Sequence, residues 1–244
     1  MRNIFILLLA GFSLTVNGQS LNQKRSQPPA ETKPVAPTQA QLSPAARYNM
    51  SKYGLAMRWN DTDIAREALY DLIMENPAND SLVFTLAYLY YENQRYASSL
   101  LVAQDLLVKN PKDEAYLELA AVSAQELGVR DRALQHFESL YAINNNINTL
   151  YQIAFLQFNL KKYAEAIASA DILIAKPESM TTKVVFNDPQ GKEKEYPMKV
   201  ALINLKGLIA LEKGDKAGAK KTFNEALALA PDFVPARDNL EKTK

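Results

Sequence analysis

The chain has 244 residues, 48% of them hydrophobic, with 28 Lys+Arg against 27 Asp+Glu and a formal net charge of +1. That balance offers no basic field for nucleic acid, and neither a nucleic-acid partner nor a cofactor is expected. There is no cysteine and His136 is the one histidine, so disulfides, thiol catalysis and a lipid-modified cysteine are excluded and multi-histidine metal sites are severely restricted.

Arg2 is followed by the apolar run Ile4 to Ala10 and by Phe12, Leu14 and Val16, with small Gly18 ahead of Gln19. This pattern predicts a secretory signal peptide over residues 1–18, and hence an exported protein, periplasmic or secreted. The apolar stretch is about 13 residues, short of the roughly 20 that cross a bilayer, so no stable membrane span is expected once the leader is removed. Residues 19–43 hold Pro28, Pro29, Pro34 and Pro37 among Gln, Ser, Thr and Ala. Such a segment cannot form a core and is expected to be a disordered, semi-extended linker.

From Pro44 onward the chain repeats. Ala65, Ser99, Ala133, Ala166 and Ala219 are small residues separated by steps of 34, 34, 33 and 53. Twelve residues after four of them stand Pro77, Pro111, Asn145 and Pro231, and eleven after Ala166 stands Pro177, each a helix stop or turn former. A fixed period of this size marks stacked modules, here 44–78, 79–112, 113–146, 147–177 and 199–232. In the last, Ile203, Gly207, Ala210 and Leu211 recur at helical steps and stop at Gly214; Ala219, Phe223, Ala226 and Leu227 do the same and stop at Pro231. That is a helical hairpin. The small residue suits the closest approach of its two helices, and an aromatic four residues on, such as Phe137 or Phe223, fills the gap beside it. Leu72, Leu106, Leu140 and Leu173, seven after the small residue, form a stripe that one hairpin cannot bury without its neighbour.

Gly207, Ala210, Gly214, Ala219, Phe223, Ala226 and Pro231 fall where the tetratricopeptide repeat family places its signature residues. The units with Leu86, Ala87, Tyr90, Ser99, Leu106 and Pro111, and with Ala120, Ala121, Gly128, Ala133, Phe137 and Leu140, match the same pattern. The first unit has Gly54 and Ala65 one residue closer than the pattern, and the fourth has Gln157 where an aromatic is usual. The chain from Pro44 to Lys244 therefore resembles a tetratricopeptide repeat protein of the exported bacterial type. The resemblance implies an all-α, right-handed superhelical array of about five helix hairpins. It also implies that the first helices line a concave groove, and that the groove binds partner proteins.

The 53-residue step contains an insertion, residues 178–198. Lys183 to Phe186 is β-favouring, Asn187 to Gly191 is dense in turn formers, and Lys192 to Tyr196 alternates charge before an aromatic, which predicts a short β-hairpin. A lone hairpin is marginal in water, so Val184, Phe186 and Tyr196 are expected to pack on neighbouring helices, or its edge to capture a partner strand. After Pro231, residues 233–244 with Phe233, Ala236 and Leu240 on one side suit a capping helix.

No catalytic constellation is found. His136 precedes core position Phe137 and is expected on the outer, solvated side; Glu193 with Glu195 and Asp113 with Glu114 lie in turns or at helix starts. No glycine-rich phosphate loop or regular metal-ligand spacing is present, so neither an enzyme nor a metal site is expected. The stronger pattern is a pair of aromatic stripes. Phe84, Tyr88 and Tyr91 stand 15, 11 and 8 residues before Ser99, and Tyr151, Phe155 and Phe158 stand at the same offsets before Ala166. At 100° per residue these positions share a face distinct from that of Leu86 and Tyr90, and are expected to line the groove. Glu118, Val122 and Gln125 occupy the same register between them, and Asn204 in the last unit is the one residue reminiscent of a carboxylate clamp. Trp59 is expected to pack at the end of its helix.

Rigid aromatics suit an extended peptide or amphipathic helix of a protein partner. A carbohydrate-binding surface, a self-assembling structural protein, and simple packing of the rings between first helices stay open as alternatives.

Overall fold

A computed structural model describes residues 42–187 and 193–244. The expected leader, the linker up to residue 41, and the insertion's turn from residue 188 to 192 lie outside the described residues. The chain divides between Ala175 and Lys176 into two compact units.

The first unit holds α1 (Pro44–Arg58), α2 (Thr62–Glu75), α3 (Asp80–Glu92), α4 (Tyr96–Lys109), α5 (Glu114–Glu126), α6 (Arg130–Asn144), α7 (Ile147–Asn159) and α8 (Tyr163–Ala175). Each helix packs on the next, and α3 also meets α5, so four hairpins stack side by side. The ladder of small residues does what its spacing predicts: Ala65, Ser99, Ala133 and Ala166 are fully buried between helices, and Leu72, Leu106, Leu140 and Leu173 are buried beside them. Ser123 Oγ donates to Ser99 Oγ at 3.0 Å and ties α5 to α4 inside the core.

The turns explain why the hairpins are alike. Asn60, Gln94, Gly128 and Lys161, each five residues before the small residue, have positive φ of 56°, 58°, 74° and 59°. The residue after each donates its N–H across five residues, as in Asp61 to Ala56 (2.8 Å), Arg95 to Tyr90 (2.8 Å) and Lys162 to Gln157 (2.8 Å). This left-handed closure ends the first helix and points the chain into the second. At the helix starts, Ser43, Asp61, Asn79, Asp113 and Asn146 accept first-turn N–H groups.

The second unit holds α9 (Glu178–Thr181), β1 (Lys183–Asn187), β2 (Glu193–Pro197), α10 (Met198–Glu212), α11 (Lys216–Leu229) and α12 (Val234–Glu241). β1 and β2 pair antiparallel, with Val184 opposite Tyr196 and Phe186 opposite Lys194. The pair is not left alone. Phe186 and Tyr196 lie edge-on to Phe233 at 5.0 and 4.8 Å between ring centroids, and Tyr196 Oη donates to the Asp232 carbonyl at 3.0 Å. The hairpin thus docks through a three-ring cluster just ahead of α12, which itself packs on α10 and α11. α10 and α11 repeat the hairpin design, with Ala219 fully buried and Gly214 at φ 80° in the turn.

Two expectations are corrected. His136 is half-buried, in a cleft of about 430 Å³ with Gln104, Leu107, Leu117 and Arg132, and burial followed by the Arg132 charge lowers its imidazole pKa. Trp59 does not pack: it is 70% exposed. Its side chain continues a face of α1 that has no hairpin in front of it among the described residues.

Candidate protein-binding surface

α3, α5 and α7 are the first helices of three consecutive hairpins, and their shared register brings the predicted residues onto corresponding faces. On α3, Leu86 and Tyr90 are buried as the packing face, whereas Tyr88 is 36% exposed and Phe84 and Tyr91 are half-buried. Phe84 is tilted against Tyr116 of α5 at 5.3 Å, and Tyr91 against Tyr96 of α4 at 5.5 Å. Burial, then the negative charge of Glu126 and the neighbouring Tyr96 and Glu92, pushes the Tyr91 phenol up to about 12. Tyr88 is raised too, first by burial and then by a hydrogen bond to Glu92.

On α5, Glu118 is exposed while Val122 and Gln125 are half-buried. Partial desolvation, and then repulsion from Glu114, raises the Glu118 carboxyl above the ordinary range. Gln125 keeps a buried Oε1 with no hydrogen-bond partner among the described residues. On α7, Phe155 and Phe158 are half-buried, and Phe158 is tilted against Tyr163 of α8 at 6.1 Å.

Two predicted residues are not at a surface. Tyr151, in the register of Phe84, is 3% exposed, with its ring 4.7 Å from Phe155 and its hydroxyl unbonded among the described residues. Asn204 belongs to the second unit and is buried, accepting from Asn239 Nδ2 at 3.3 Å. Both are held by packing rather than offered to a partner.

Sequence reasoning missed the ring partners. Tyr96 and Tyr163 each stand three residues before the small residue of their repeat, five after Tyr91 and Phe158, so the same ruler contained them. It placed the acidic Glu118 between the ridges but missed Glu92 and Glu126, whose charges act on Tyr88 and Tyr91. Among the described residues no group of side chains could hold a metal ion, and no helix is long and apolar enough to cross a membrane.

Tetratricopeptide repeat family models match residues 200–233 and 148–179, the segments that hold the fifth and fourth small residues. Both matched segments are tetratricopeptide repeats, and the helical array has the fold of that family. Solved structures with this fold include YrrB, described as a TPR protein with an unusual peptide-binding site, at 12% identity and a TM-score of 0.62 over 80% of this chain and 92% of that one. A MamA protein is similar at 14% identity and a TM-score of 0.58, over 75% of this chain and 91% of that one. MamA 41-end from Desulfovibrio magneticus RS-1 is similar at 11% identity and 0.58, over 78% and 98%. At these identities the likeness is one of fold. No curated protein matches the chain significantly. The tetratricopeptide repeat fold is a scaffold for protein–protein interaction.

Proposed function

We propose that this tetratricopeptide repeat protein is an exported, non-enzymatic adaptor that holds a peptide or amphipathic helix of a protein partner against the surface of Phe84, Tyr88, Tyr91, Glu118, Val122, Gln125, Phe155 and Phe158. The observation that carries it is the pairing of two aromatic ridges in one register around Glu118, whose carboxyl is already destabilised as an anion. A lysine or arginine of the partner would relieve that strain, while its apolar side chains would cover the rings at low rotamer cost. The partner segment is therefore apolar with at least one basic residue. Export rests on the apolar leader of residues 4–16, and a mature chain starting near Gln19 in the host envelope would establish it.

The test is selection from a displayed random-peptide library on the wild type and on the triple variant Tyr88→Ala, Tyr91→Ala, Phe158→Ala, with helicity checked by circular dichroism. Peptides combining aliphatic residues with Lys or Arg should be enriched on the wild type and bind the variant more than about 30-fold more weakly, as loss of aromatic anchors implies. Equal binding by a folded variant would refute the assignment.

A further inference from the structure

The leading face of the first hairpin is unpartnered in a way that no other hairpin's is. Tyr48 and Leu55 stand seventeen and ten residues before Ala65 and are 69% and 43% exposed. At the same offsets α3 has Leu82 and Leu89, which pack into the core of the first hairpin. α5 has Tyr116, ring to ring with Phe84, and Ser123, bonded to Ser99. α7 has Thr149 and Leu156, and α10 has Leu202 and Ile209, all buried. So these offsets are packed or buried in every later hairpin, and in the first they face water. Trp59, eleven residues after Tyr48, lies within about 20° of the same line, and the three side chains form a stripe about 16 Å long.

We propose that this stripe is a self-association interface: two copies of the chain pair about a twofold axis through Tyr48, Leu55 and Trp59 of α1. Three observations select a second copy as the occupant. The chain supplies a lid for its last hairpin, where α12 lies on α10 and α11 with Phe233 and Ala236 fully buried, but none of its described residues covers the first. Its own linker is poorly suited to the task, because residues 19–41 contain only Leu21 and Val35 as large aliphatic side chains and no aromatic one. Finally, the stripe tolerates its own image. Lys52 lies on the same side of α1 but its Nζ is 2.9 Å from Glu67 Oε1, and Arg47 and Arg58 project roughly 80–100° away, so no unpaired like charges meet across the axis. A twofold contact requires only such a self-complementary patch, and large rigid rings fill it efficiently.

Trp59 is the only tryptophan, so it reports on this face alone. The experiment uses the protein as processed by its host, comparing sedimentation velocity with tryptophan emission and acrylamide quenching over a concentration series. Mass should double as concentration rises, with Trp59 emission moving to the blue and quenching falling several-fold in step. Leu55→Glu should weaken association by more than about tenfold and keep Trp59 red-shifted and quenchable. Tyr48→Glu should do the same, and an unchanged thermal melt shows that each variant is folded. A monomer at high micromolar concentration would overturn the proposal, as would a dimer whose Trp59 stays fully quenchable, or a monomer whose Trp59 is already protected.

Discussion

Gly207→Ala tests the close approach on which each hairpin is built. A Cβ added at Gly207 would lie 2.6 Å from Phe223 Cδ1 and 3.0 Å from its Cζ, with Cε1 closer still. Phe223 is fully buried, so its ring has no solvent to retreat into and α10 and α11 must separate instead. Overpacking of this kind costs about 1–3 kcal/mol. Against it, alanine replaces glycine inside a helix, a gain of about 1 kcal/mol. The net expectation is destabilisation by about 1 kcal/mol, a fall of roughly 2–4 °C in Tm for a chain of this size. The decisive measurement is a double-mutant cycle by urea unfolding. In a Phe223→Leu background the ring is gone, the propensity gain stands alone, and Gly207→Ala should stabilise. Equal effects of Gly207→Ala in the two backgrounds would show that the ring does not press on this position and would refute the reasoning.

Three further outcomes follow from particular side chains. Gln94→Gly and Lys161→Gly remove the strain of a left-handed side chain and should each raise stability by about 0.5–1 kcal/mol in thermal melts, whereas Gly128→Ala should lower it by about 1 kcal/mol. Tyr91 releases its proton near 10.0 when unfolded but only at about 12 when folded, so the native state keeps a proton that the unfolded state loses. Stability should therefore fall as pH rises from 10.0 to about 12, and Tyr91→Phe should flatten that part of the urea-midpoint profile. Glu118 also holds its proton more tightly when folded, so its anion opposes folding at neutral pH and that penalty vanishes in acid, below the ordinary carboxylate range. Glu118→Gln should stabilise at neutral pH, lose the advantage in acid, and weaken binding of a basic peptide in a salt-sensitive way.

Legibility of the fold varied with the kind of contact that decides each position. The small residues and the leucines seven later follow directly from helical period, because both are fixed by packing inside or between adjacent hairpins. The insertion was legible for a similar reason: Phe186 and Tyr196 are the large apolar residues of two short strands, and they pack where burial is available, on Phe233. The turns were only half legible. Gly128 and Gly214 announce positive φ, but Asn60, Gln94 and Lys161 take the same conformation without glycine, since the closing bond across five residues and the packed helices on either side override local preference. For the candidate surface, periodicity places a residue on a face but does not say what stands over that face. Phe84 and Tyr151 share a register and differ in burial, as do Tyr48 and Leu82. Trp59 and Tyr48 are exposed because a stacking position needs a predecessor, and repetition within one chain says nothing about its first member.

The two ridges and the bare stripe differ in how ready they are to bind. Tyr91 and Phe158 each lean on a tyrosine five residues on, across the left-handed turn that joins the two helices of their hairpin, so their rings are held by the same element that fixes the backbone. A ring already confined loses little freedom when a partner covers it, and this preorganisation is worth more than added area. Tyr88, the most exposed of the three rings on α3, is the member free to adjust to the bound segment. On α1, by contrast, Tyr48 and Trp59 are more exposed still, with no ring paired to them among the described residues. Covering them removes apolar surface from water but must also immobilise the side chains, so association there should be weaker, and more dependent on concentration, than peptide capture on α3, α5 and α7.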